Sequence, residues 1–215
     1  MLWDLDGTIV DTEPQWIAAE MTLVHRFGGT WSHEQALSLV GNGLPDSARV
    51  LQRHGVRMEV DEIVGWLTDQ VISGLRSRVP WRPGALELLR ELREAGVPTA
   101  LVTMSVRRMA DTVASAMPFD AFDAIVAGDE VAHPKPHPDP YERAARLLGV
   151  PAEACVAIED SPPGLASAVA AGTVAIGVPN ARSLPEGDGW TLWPTLEGRS
   201  LADLAALLPR PATRP

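Results

Sequence analysis

Two aspartates at alternate positions stand near the start of the chain, in Met1-Leu2-Trp3-Asp4-Leu5-Asp6-Gly7-Thr8-Ile9-Val10-Asp11. Alternate side chains on a strand share a face, so Asp4 and Asp6 lie side by side if a strand runs through them. Two carboxylates converging at a strand's end repel each other unless a cation or a proton stands between them. Gly7 lets the chain turn away directly afterwards. More polar groups follow apolar runs farther on: Thr103 and Ser105 at one, Glu159, Asp160 and Ser161 at another, and between them Lys135, after a run and a stiff proline-braced loop. Acids for a divalent ion, hydroxyls and one ammonium are what a magnesium-phosphate site needs. Each group also has an ordinary structural reading: a solvated hydroxyl, a surface charge, acids beside a helix N-terminus. Those readings do not explain why all of them follow apolar runs.

The ammonium is conspicuous. Of 18 basic residues, 17 are arginine and one is lysine, Lys135, in the braced loop His133-Pro134-Lys135-Pro136-His137-Pro138-Asp139. A flexible point charge differs physically from a planar guanidinium fork, and this position is one that requires the former.

Apolar periodicity supplies the elements that would position these groups. Residues 14–28, 33–40, 46–54 and 61–78 read as helices, and no strand interrupts 14–80. From Pro83 the pattern alternates: helix 84–95, strand 98–103, helix 106–116, strand 124–127, helix 140–148, strand 155–159, helix 163–171, strand 174–178. Such alternation predicts right-handed crossovers and a parallel sheet covered on both faces. The fold class expected is α/β, a doubly wound parallel-sheet (Rossmann-like) core of residues 1–13 and 81–215. A small all-helical cap, 14–80, is inserted after strand 1. Strand 1 has at most five residues before its turn, so either the native start lies upstream or the strand is unusually short. The tail, 184–215, is expected to hold one helix at 200–208 and a frayed proline-rich end. Ligands of open parallel sheets bind beyond the carboxyl ends of the strands, where all the polar groups above converge.

Composition narrows the partners. The formal charge of −10 disfavours nucleic acid and anionic membrane, and 46% hydrophobic residues suit a globular core. No apolar run is long enough to span a bilayer, and no secretory leader pattern opens the chain. One cysteine, Cys155, excludes an internal disulfide and reads as a small buried hydrophobe in a cytoplasmic protein. The five histidines lack metal-ligand spacing; His25, His33 and His54 read as surface residues.

The ordered set Asp4-Leu5-Asp6-Gly7-Thr8 with Asp11, Thr103-Met104-Ser105, Lys135-Pro136-x-Pro-Asp139 and Glu159-Asp160-Ser161-x-x-Gly164 resembles the haloacid dehalogenase superfamily. The similar branch has a small helical cap, and the resemblance runs to about residue 180. It implies a magnesium-dependent phosphatase acting, as a monomer, on a small phosphorylated metabolite. Asp4 would be the nucleophile and form an aspartyl-phosphate. Magnesium would bind the Asp4 carboxylate, the Asp6 backbone carbonyl and the Asp160 carboxylate, with Glu159 as a second-layer or occasional direct ligand. Asp6 would protonate the leaving alcohol and then activate water. Thr103, Met104, Ser105, nearby backbone amides and Lys135 would hold the phosphoryl oxygens. In the cap, the loop Gly41-Asn42-Gly43 would close over the site, with Asn42 and Arg49 as candidate substrate contacts.

Two other readings stand beside hydrolysis. A beta-phosphoglucomutase-like enzyme carries a histidine where Trp16 stands and a Lys-Gly-x-x-Arg loop where this chain has Val40-Gly41-Asn42-Gly43-Leu44, without either basic residue. The run Asp11-Thr12-Glu13-Pro14-x-Trp16 resembles instead phosphatases of sugar or polyol phosphates. A silent phosphate-binding or receiver-like module is the non-enzymatic reading. The 99 residues separating Asp4 from Thr103 are too many for a receiver.

Overall fold

The computed structural model describes residues 1–208; the proline-rich end expected to fray lies outside the described residues. Six parallel strands form one sheet: β1 (Leu2–Trp3), β2 (Ala100–Val102), β3 (Ala124–Val126), β4 (Val156–Glu159), β5 (Val174–Gly177) and β6 (Trp190–Leu192). Their order across the sheet is β3-β2-β1-β4-β5-β6, so the chain winds outward from β1 in one direction and then in the other. The crevice between β1 and β4 is the topological switch point, where ligands of such sheets bind.

Alternation along the strands divides the core in two. Trp3, Leu101, Ile158 and Ile176 face one layer, with helices α5 (Ala85–Glu94), α6 (Arg107–Ala116) and α9 (Leu201–Ala205). Leu2, Ala100, Ala157 and Ala175 face the other, with α7 (Asp139–Leu148) and α8 (Pro162–Ala170). The registers Leu2↔Ala100, Leu2↔Ala157 and Ala157↔Ala175 line up a stripe dominated by alanine on that face. Small side chains there let α7 and α8 approach the sheet closely, which draws the loops at their N-termini over the strand ends.

Between β1 and α5 lie four further helices and no strand: α1 (Glu13–Arg26), α2 (His33–Leu37), α3 (Leu44–Arg53) and α4 (Val60–Ser77). Pro14 at the start of α1 and the Ser32–Gln35 capping box of α2 fix their entries. Leu23, Ile63, Leu67 and Val71 are fully buried within this insert and share one apolar cluster with Leu5, Ile9 and Val10 beside the sheet. Two chain segments join the insert to the sheet, pinned by Asp11 N–H to the Pro80 carbonyl (2.9 Å) and Arg82 N–H to the Ile9 carbonyl (2.8 Å). No helix among the described residues is long and apolar enough to cross a membrane.

Two expectations need correction. The tail contributes β6, parallel to β5, besides its helix; three residues at a sheet edge leave no periodic signal in sequence. And β1 ends at Trp3, so the pleat does not run through both aspartates. The Asp4 N–H still bonds the Ile158 carbonyl, but then the N–H groups of Thr8, Ile9 and Val10 all converge on the Leu5 carbonyl and curl the chain. Asp6 reaches the site by that turn rather than by strand alternation.

Candidate active site

Lys135 sits at the centre of the strand ends, 5% exposed. Its Nζ donates to Asp4 Oδ1 (2.8 Å), to the Val102 carbonyl (2.9 Å) and to Glu159 Oε1 (2.5 Å), which employs all three ammonium protons. Three strands are thereby tied together beyond their ends: β1 through Asp4, β2 through Val102, β4 through Glu159. Tyr141 on α7 donates its hydroxyl to the same Glu159 oxygen (2.6 Å), and Ser161 donates to Glu159 Oε2 (3.1 Å). Ser161 also accepts the Gly164 N–H and caps α8, as expected for that position.

Asp6 lies beside this cluster with both oxygens engaged. Oδ1 accepts from the Thr12 hydroxyl (2.5 Å) and the Trp16 indole N–H (3.0 Å). Oδ2 accepts from the Ser105 hydroxyl (2.7 Å) and, at 3.3 Å, the Thr103 hydroxyl. The Thr103 and Ser105 backbone amides are committed to the Val126 carbonyl and the Thr103 hydroxyl. These two residues therefore meet the pocket through their hydroxyls.

Two fully buried carboxylate oxygens, Asp4 Oδ2 and Asp160 Oδ2, accept no hydrogen bond among the described residues. Oxygens of Asp4, Glu159 and Asp160 lie within 4.8 Å of one another. Burial and the Glu159 charge push the Asp4 carboxyl up to about 7, against the pull of Lys135. Burial and the Asp4 charge raise Asp160 well above the carboxylate range. Burial works against the Lys135 charge, but the Asp4 and Glu159 carboxylates outweigh it and hold the ammonium. Three carboxyls around one ammonium leave an excess that a divalent cation would balance, and all-oxygen donors suit a hard ion such as magnesium. The fit is to Asp4 and Asp160, each of which keeps a buried free oxygen, and to the Asp6 carbonyl, which accepts no backbone hydrogen bond among the described residues. Glu159 differs: both its oxygens are already taken by donors, so it orients Lys135.

The pocket continues under the helical insert. It is lined by Asp4, Asp6, Thr103, Met104, Ser105, Lys135 and Asp160 from the sheet side. Trp16 and Ile17 of α1 and the segment Leu39–Leu44 close it from above. Gly41 packs so tightly on Ser161 that a Cβ there would stand 2.7 Å from the serine Cβ, which places Asn42 over the site. Arg49 is a correction. It points outward from α3, more than half exposed and paired with Asp46 at 2.7 Å. Ser47 is the pocket-facing position of that helix, and two residues later the side chain has rotated about 200° away.

Sequence reasoning passed over five residues here. Thr12 and Trp16 hold Asp6, Tyr141 holds Glu159, and Glu13 and Glu20 line the pocket. The signal for Thr12, Glu13 and Trp16 was present in the Asp11-to-Trp16 run. Tyr141 and Glu20 sit in amphipathic helices at positions no different in pattern from core or surface.

Comparison with known proteins agrees with this fold. The sequence model of haloacid dehalogenase-like hydrolases matches residues 1–172. Protein CbbY of Rhodobacter capsulatus is 32% identical over 194 residues, covering 80% of this chain and 81% of the relative. Hexitol phosphatase A of Escherichia coli (strain K12) is 33% identical over 183 residues, covering 82% and 81%. Among solved structures, CbbY from Rhodobacter sphaeroides in complex with phosphate aligns with a TM-score of 0.84 at 28% identity, over 95% of this chain and 97% of that one. Beta-phosphoglucomutase from Clostridium difficile shares the fold, with a TM-score of 0.84 at 22% identity over 96% and 95%. By its motifs, their placement at the strand ends and this match over most of its length, the chain belongs to the haloacid dehalogenase-like hydrolases.

Proposed function

We propose that this hydrolase is a magnesium-dependent phosphatase of a small phosphate monoester, of the sugar or polyol phosphate kind, with residues 14–80 acting as its cap. The observation that carries the reading is the pair of buried, unpartnered oxygens on Asp4 and Asp160 beside the Lys135 ammonium. Relatives named as hexitol phosphatases support the substrate class.

Asp4 attacks phosphorus in line: an Asp4 oxygen–phosphorus bond forms as the bond from phosphorus to the alcohol oxygen breaks. Asp6 gives its proton to the departing alkoxide, then takes one from a water that attacks the aspartyl-phosphate and frees Asp4 with inorganic phosphate. The hydroxyls of Thr12, Thr103 and Ser105 can turn from donor to acceptor, so Asp6 keeps partners in either protonation state. Lys135 fixes the Asp4 carboxylate and sets a positive charge beside the phosphoryl oxygens. Magnesium, when held by Asp4, Asp160 and the Asp6 carbonyl, supplies neutralisation of phosphoryl charge. The insert excludes bulk water from the aspartyl-phosphate.

A panel of sugar and polyol phosphates, assayed for phosphate release with magnesium and with EDTA, tests the reading. Release that depends on magnesium is expected. A chain that binds phosphate and hydrolyses nothing would be the silent module instead. Transfer of phosphate between two positions of a sugar, with little release, would favour a mutase.

A further inference from the structure

Above the strand ends the pocket carries two acids on α1, with Asn42 and Ser47 as further polar side chains. Glu13 and Glu20 stand seven residues apart on α1, hence on one face of the helix and roughly 10 Å apart along its axis. Both line the pocket, at 7% and 6% exposure. The Glu13 carboxyl accepts no hydrogen bond among the described residues, and Glu20 uses only Oε2, for the Trp31 indole N–H at 3.0 Å. Among the described residues no arginine lines the pocket, and the one cation there, Lys135, already serves three acceptors. The free oxygens of Glu13 and Glu20 open on the pocket, where an entering group can donate to them.

We propose that Glu13 and Glu20 select a phosphate monoester whose alcohol portion carries an ammonium group, as an amino sugar or amino polyol does, and reject esters bearing a second anion. The inference rests on the phosphatase reading of the same site. An ammonium supplies both the missing donors and the missing positive charge. Hydroxyls supply donors alone. A second phosphate or a carboxylate meets two acids with no cation to receive it. Burial, and for Glu13 the neighbouring Asp6 and Glu20, already push these carboxyls up to about 8 and about 7. A cation between them relieves that strain and an anion adds to it.

The test compares kcat/KM for glucosamine 6-phosphate, glucose 6-phosphate and 6-phosphogluconate, with p-nitrophenyl phosphate as a reporter of phosphatase chemistry, all with magnesium. The amine is expected to exceed the neutral ester by about tenfold and the carboxylate to fall below it by about tenfold, the size of one charge-assisted contact. Glu20→Gln and Glu13→Gln should each bring the amine-to-neutral ratio toward one. A ratio taken on one preparation cancels the amount of folded enzyme, and either variant suffices if the other fails to fold. Hydrolysis of p-nitrophenyl phosphate with an amine-to-neutral ratio near one, a ratio unchanged in both variants, or a carboxylate ester turned over as well as the neutral one overturns the inference and leaves the phosphatase standing. No hydrolysis of any ester overturns both.

Discussion

Lys135 has three ammonium protons and three acceptors, at 2.5 to 2.9 Å, drawn from three strands. A guanidinium fork cannot fill that tripod, which is why the single lysine of an arginine-rich chain stands there. Burial of a further acid in the pocket wall couples stability to pH. Glu20 keeps its proton to about pH 7 when folded, against 4.5 in an unconstrained chain, chiefly through burial. The folded state therefore holds more protons than the unfolded one between those values. Its contribution is fully present below pH 4.5 and is lost as pH rises through about 7. For metal-free protein, Glu20→Gln should flatten the fall in unfolding free energy between pH 4.5 and 7.5 by on the order of 2 kcal/mol, read from urea midpoints. An unchanged slope would show that Glu20 ionises normally. Asp4, Asp6 and Asp160 were legible in the sequence because each follows an apolar run, and Lys135 because it is the one lysine of the chain, in a proline-braced loop. Tyr141 and Glu20 were not, because a polar side chain in an amphipathic helix declares its partner only when the helix is placed.

The turn after β1 is the element on which the site depends. Its Gly7 adopts φ +84°, and a Cβ there would stand 1.9 Å from Asp160 Oδ2. Gly7→Ala must move either the turn or the Asp160 carboxylate. It should lower stability by roughly 1–3 kcal/mol and reduce phosphate release by about a hundredfold or more, measured by denaturant unfolding and steady-state assay. Near wild-type values for both would mean that Asp160 is not fixed where the site requires it. The glycine's role as a breaker could be read from sequence, whereas its contact with a carboxylate 153 positions away could not. Helix bounds were legible to within about two residues at most ends, from capping residues and glycine stops. The edge strand Trp190–Leu192 was not, because its stability comes from pairing with β5 and not from its own pattern.

The molecule as a whole carries a formal charge of −10, and part of that excess is concentrated at the switch point of its sheet. A divalent ion that binds only the folded chain should raise the thermal midpoint by roughly 5–10 °C at saturating magnesium. Asp160→Asn should abolish most of that shift in a thermal melt; an equal shift in the variant would place the ion elsewhere. The order of the motifs made the parallel α/β architecture legible, since each lies where an apolar run gives way to a loop. The loop Gly41-Asn42-Gly43 was legible as the part of the insert that meets the pocket, but its packing partner, Ser161, was not. The most direct test of the whole account is the rate of phosphate release by folded Asp4→Asn with saturating magnesium. The account predicts a fall of about a thousandfold or more, as for loss of a nucleophile. Release within about tenfold of the wild-type rate would contradict it.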